Sequence, residues 1–106
     1  MSGLRLEALQ KFLEQEPADT FTHYAIALEY AAMHEIPEAV AKLEELIGLD
    51  PNYVPAYQQL GNLLAQLGRK QQSLQILEKG IQVAALVGDT HAQSEMQEAI
   101  DELGLE

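Results

Sequence analysis

Residues 50–83 read DPNYVPAYQQLGNLLAQLGRKQQSLQILEKGIQV, and Tyr57, Leu60, Gly61, Leu64, Gly68, Ser73, Leu77 and Gly80 carry the pattern. Moved back by 34 positions, this stretch falls on residues 16–49. Pro51 lands on Pro17, Ala65 on Ala31, Leu77 on Leu43, Glu78 on Glu44 and Ile81 on Ile47. Other pairs keep their class: Leu60 with Ile26, Gly61 with Ala27, Ser73 with Ala39, Leu74 with Val40. One further step back sets Leu6, Leu9 and Leu13 on Val40, Leu43 and Ile47, and one step forward sets His91 on Tyr57.

Working outward from the repeat, the chain divides into helices separated by breakers. Leu6, Leu9, Phe12 and Leu13 fall at helical spacing, which predicts a helix over 4–15 with one apolar stripe. Pro17 ends it, since the residue before a proline avoids the helical region. Asp19 or Thr20 caps a second helix running to about Met33. Pro37 opens a third that reaches Ile47, with Gly48 expected in the left-handed conformation at its end. A fourth runs from Val54 to Gly68 and a fifth from Lys70 to Val87. A last helix covers about Thr90 to Leu103 on a narrow stripe of Met96, Ile100 and Leu103. No alternating strand pattern is present. These segments group as 4–15, 16–49, 50–87 and 88–106 within a single domain with one continuous core.

Composition narrows the function classes. The chain has 106 residues, 47% of them hydrophobic, and no cysteine, so disulfide and thiolate–metal frameworks are excluded. The net charge is −11, with 17 acids against 6 bases, which disfavours nucleic acid and anionic lipid as partners. The first residues lack an apolar h-region and no segment approaches a membrane span, so a cytoplasmic location is expected. No phosphate-binding loop, dinucleotide fingerprint, nucleophile elbow, zinc-protease or calcium-loop motif occurs. The expectation is a non-enzyme without cofactor or metal. His23 and His91 share a repeat position and read as packing residues, and His34 sits in a turn.

A 34-residue helix–turn–helix period resembles the tetratricopeptide repeat. In that family the first helix carries a large aromatic, then Leu and Gly three and four residues later. The second helix carries small residues around a large one, and proline closes the unit. Tyr57, Leu60, Gly61, Leu64, Ser73, Leu77 and Gly80 match this well. His23, Ile26, Ala27, Tyr30, Ala39, Leu43 and Leu46 match it with two departures, His23 and Leu46. Ala85 stands in place of the closing proline, so the fifth helix is expected to run on. Residues 4–15 resemble the second helix of a missing first helix, and 90–103 the first helix of a third repeat. The resemblance implies an all-α, right-handed stack of about six antiparallel helices.

It also implies a protein-binding role in a concave groove lined by the first helices. In this register the groove residues are Phe21, Tyr24 and Leu28, then Gln58, Asn62 and Gln66, then Met96. All six bases, Arg5, Lys11, Lys42, Arg69, Lys70 and Lys79, lie outside those helices. A subset of the family clamps acidic C-termini with lysine and arginine there, and here Tyr24 stands at the first lysine. The groove therefore suits an apolar or neutral segment, with cations beside it, better than an acidic tail. The alternative is self-association: an apolar stripe on an end helix forming a homodimer.

Overall fold

The computed structural model describes residues 2–105, without the side chain of Ser2. Its regular structure is helical throughout: α1 (Ser2–Gln15), α2 (Thr20–Ala32), α3 (Ile36–Leu49), α4 (Val54–Gln66), α5 (Lys70–Val87) and α6 (Thr90–Glu102). The chain forms two compact units, Met1–Asp50 and Pro51–Glu106. α1, α2 and α3 belong to the first, and α4, α5 and α6 to the second. Within each, consecutive helices pack against one another as hairpins.

Local chemistry sets the helix ends. Asp19 is the N-cap of α2, and its Oδ2 accepts from Thr22 N (2.9 Å) and from the Thr22 hydroxyl. Asp89 caps α6 the same way, accepting from Ala92 N at 3.0 Å. Pro37 and Pro55 sit in the first turns of α3 and α4, where no backbone donor is lost. The turn between the helices of each hairpin needs one left-handed residue. Gly68 supplies it in the second unit (φ 78°) and His34, 34 positions earlier, in the first (φ 62°). Histidine tolerates this region better than most side chains, but at a steric cost that glycine avoids. Gly48, expected in that conformation, is helical instead: α3 continues through it to Leu49 and is capped at Asp50.

The Asp19 cap yields a pH prediction. The Thr22 hydroxyl and then the Thr22 N–H stabilise its ionised form, so its pKa lies below the ordinary carboxylate value. The cap's contribution is therefore full above the unfolded-state pKa and is lost as pH falls through the lower folded-state pKa. Asp19→Ala should lower the melting temperature at neutral pH, and the deficit should vanish in strong acid. Asp19→Asn, which caps without titrating, should stay close to wild type at neutral pH and lose less in acid. Thermal melts of the three proteins across the acid range test this, and a pH-independent Asp19→Ala deficit would contradict it.

Small residues let the hairpin helices approach. Ala39 and Ser73 are fully buried at equivalent positions, and Ser73 Oγ donates to the Gly61 carbonyl at 2.7 Å. A Cβ on Gly61 would stand 2.5 Å from Leu77 Cδ2, and one on Gly80 would stand 2.5 Å from Met96 Sδ. The aromatic position is anchored alike in both units. Tyr57 donates its hydroxyl to the Pro51 carbonyl (2.6 Å), and buried His23 places Nε2 2.7 Å from the Pro17 carbonyl. A carbonyl accepts and does not donate, so the hydrogen of His23 is on Nε2. Its Nδ1 then faces Lys42 Nζ at 3.4 Å, and Lys42 also pairs with Glu45 at 3.1 Å.

Two stripes differ from expectation. On α1, Leu6, Leu9 and Leu13 are half-buried against α2, but Phe12 is 49% exposed. It stands one repeat before Leu46, a position whose side chain is buried by the hairpin's first helix, and α1 has no such helix before it among the described residues. The larger correction concerns α6. α5 has 18 residues where α3 has 14, because Ala85 replaces the closing proline and the helix runs on to the left-handed cap Gly88. The connection to α6 is two residues, 88–89, against four, 50–53, after α3. Four residues gained and two lost advance α6 by two, so it follows α4 at a spacing of 36. The N-caps Tyr53 and Asp89 keep that spacing, and buried Ala92 and Met96 take the places of buried Ala56 and Leu60. His91, expected to pack like Tyr57, therefore lies in solvent (84% exposed), with Nε2 3.4 Å from Glu95 Oε1.

Candidate functional site

The sequence places its candidate site on the first helix of each hairpin, and each unit presents such a face. On α2, Phe21, Tyr24 and Leu28 recur at i, i+3 and i+7 and so share one side. Phe21 is 69% exposed, Leu28 is 38% exposed and Tyr24 is half-buried. The opposite side of α2 carries Ile26 and Ala27 into the core. The one charge on α2, Glu29, is neutralised by Arg5 of α1 at 2.8 Å.

On α4, Gln58, Asn62 and Gln66 recur every four residues. Asn62 and Gln66 are exposed, and Gln58 is half-buried. α4 carries no charged residue. Met96, expected beside them, is fully buried with its thioether over Gly80, so it is a core residue and not part of any open face. The two-residue advance of α6 is the cause. It turns Glu95, Ala99 and Glu102 toward α4 instead. Gln58 Nε2 donates to Glu95 Oε1 at 3.3 Å. Ala99 and Glu102 join Asn62 and Ala65 around a cleft of about 240 Å³, floored by Ser73, Leu77 and Leu103. The matching caps Asp19 and Asp89, 70 residues apart rather than twice 34, were the signal in the sequence that could have found this row.

No group of three His, Cys, Asp or Glu residues among the described residues is arranged to hold a metal ion. Nor is any helix of the described residues long and apolar enough to cross a membrane. Every buried side-chain nitrogen and oxygen described has a hydrogen-bond partner.

The hairpins thus repeat at 34 residues, with small residues at the crossings and an aromatic-position side chain tied to the proline carbonyl six residues before it. The tetratricopeptide-repeat profile matches residues 30–99. The chain belongs to the tetratricopeptide-repeat family. A tetratricopeptide repeat domain protein from Salinibacter ruber, determined in solution by NMR, is 38% identical, with 85% of this chain and 92% of that one covered and a TM-score of 0.80. The TPR2B domain of yeast Sti1, in its pHsp70 complex, is similar in fold at 21% identity, with 93% of this chain and 79% of that one covered and a TM-score of 0.87. The TPR2AB domain pair of yeast Sti1, in its pHSP90 complex, gives a TM-score of 0.91 at 20% identity, covering 98% of this chain and 40% of that one. Among curated proteins none matches this tetratricopeptide-repeat chain.

Proposed function

We propose that this chain is a non-catalytic, cytoplasmic protein-interaction module. It holds a peptide or helix of a partner on the faces lined by Phe21, Tyr24 and Leu28 in one unit and by Gln58, Asn62 and Gln66 in the other. The observation that carries this reading is α2: an exposed phenylalanine and leucine flank a tyrosine on a side that carries no charge. Solvent-facing apolar side chains in a row of this kind suit burial by a partner, with aromatic anchors contributing most. The Sti1 domains, captured with pHsp70 and pHSP90, support a protein partner for this fold.

The charge on these faces argues for the kind of segment. α2 and α4 hold no base. Glu95 and Glu102 of α6 face α4, so an acidic tail would meet repulsion there and an apolar or neutral segment would not. The test is capture from cell lysate with wild type beside two surface variants, Phe21→Ala/Leu28→Ala and Asn62→Ala/Gln66→Ala, matched for helicity by circular dichroism. A partner retained by wild type and lost with a variant is the expected result. Equal capture by all three proteins would refute the reading, as would tight, salt-sensitive binding of a carboxylate-tailed peptide in calorimetry.

A specific observation supports the second reading, homodimer formation. On α1, Leu4, Ala8 and Phe12 recur every four residues and all three are exposed, Leu4 at 69%. Under this reading the stripe pairs with its own copy, and Phe12→Glu should abolish a concentration-dependent mass in sedimentation equilibrium. A monomer at all concentrations removes the dimer.

A further inference from the structure

The cleft of the second unit is chemically two-sided. Its lining is mostly apolar, with buried Leu77 and Leu103 beside Ala65 and Ala99, and the hydroxyl of buried Ser73 is already given to the Gly61 carbonyl. Its mouth is polar, with the Asn62 amide on α4 and the Glu102 carboxylate on α6, both exposed. One turn back along both helices the bond from Gln58 to Glu95 ties α4 to α6. At about 240 Å³ the space is smaller than the 300–1,000 Å³ typical of small-molecule sites and suits one aliphatic side chain.

The field at this mouth has one sign. α6 carries Glu95, Glu98, Asp101 and Glu102 and no lysine or arginine. Among the described residues Glu98 and Glu102 form no ion pair. α4 contributes no charge. The bases of this unit, Arg69, Lys70 and Lys79, belong to α5 and its N-cap, and none pairs with α6. A largely apolar pocket with one unpaired carboxylate, Glu102, at its rim is complementary to an aliphatic side chain with a cation next to it.

We propose that this cleft anchors one leucine- or isoleucine-sized side chain of an extended peptide and that Glu102 pairs with a lysine or arginine adjacent to that anchor. This rests on the peptide-binding reading above and names the partner's chemistry: a basic-flanked aliphatic segment.

The probe is a short fluorescein-labelled peptide with a single leucine between two lysines in a glycine–serine frame, read by fluorescence anisotropy. Three companions replace the leucine with alanine, the lysines with glutamates, or both. The full chain is titrated as wild type, as Glu102→Gln and as Ala99→Leu, which fills the cleft. Each variant's fold is checked by circular dichroism and urea unfolding. The expected result is saturable binding of the lysine–leucine peptide, about tenfold weaker when the leucine is removed and about tenfold weaker when the lysines become glutamates. Glu102→Gln should erase most of the preference for lysine over glutamate while leaving the leucine preference. Ala99→Leu should do the reverse. Raising salt to about 0.5 M should weaken the wild type more than Glu102→Gln. Equal affinity for the lysine and glutamate peptides, equal affinity of wild type and Ala99→Leu, or no saturation up to about 1 mM peptide would each overturn the proposal. Partner capture that survives in Ala99→Leu and Glu102→Gln but is lost in the Phe21/Leu28 variant would overturn the cleft while leaving the broader interaction reading in place.

Discussion

Leu77→Ala is expected to lower the unfolding free energy by about 2–5 kcal/mol in urea titration. Leu77 is 1% exposed and sits where α4 and α5 cross. Its Cδ2 and Cγ lie 2.5 and 2.6 Å from the point that a Cβ on Gly61 would occupy. The leucine thus fills the volume that glycine leaves open, and glycine has no side chain with which to fill the void if the leucine is cut back. The same geometry predicts a coupling. Gly61→Ala alone overpacks the crossing and should cost about 1–3 kcal/mol. In the Gly61→Ala/Leu77→Ala double variant the new methyl enters vacated space, so the total should fall short of the sum by about 0.5–3 kcal/mol. Strict additivity would show that the two residues do not share this space.

The second large effect is expected at Gly80. A Cβ there would stand 2.5 Å from Met96 Sδ and 2.7 Å from Tyr57 Cβ. The thioether is the flexible part of a long side chain and can swing aside. Tyr57 Cβ cannot, because it is fixed to the backbone of α4 and the ring's hydroxyl is held by the Pro51 carbonyl. Gly80→Ala should therefore cost about 1–3 kcal/mol. Shortening the methionine should not rescue it: in a Met96→Ala background the loss caused by Gly80→Ala should remain. Full rescue in urea titration would show that the methionine, and not the tyrosine, sets the limit at this position.

Much of this was legible in the residues. The period, the small residues at the crossings and the missing proline at Ala85 each carry a direct steric meaning, and from them the helices and the run-on of α5 follow. His23 and Leu46 read in the sequence as two separate departures from the pattern. They occupy the positions of Tyr57 and Gly80 one repeat earlier, and all four residues are buried. The bulk is divided differently: a large ring paired with a glycine in one unit, a smaller ring and a leucine in the other. A pattern compared one position at a time does not link these two positions, although Tyr57 and Gly80 meet where α4 and α5 cross. The placement of Met96 and His91 was not legible from the period, since it depends on the sum of a helix extension and a loop contraction. The row of Glu95, Ala99 and Glu102 was hidden for the same reason.

The four residues that α5 gains and the two that its connection gives up have a consequence for anyone extending this molecule. Successive residues of an α-helix are rotated by about 100°, so two residues turn the surface of α6 by about 200° relative to a strictly periodic copy. A hybrid made by splicing an idealised repeat onto the chain by counting in steps of 34 from Tyr57 would arrive almost back to front, offering acids where the graft expects a hydrophobic seam. The splice has to be phased from Asp89, so that the graft begins in the angular frame that the last helix occupies.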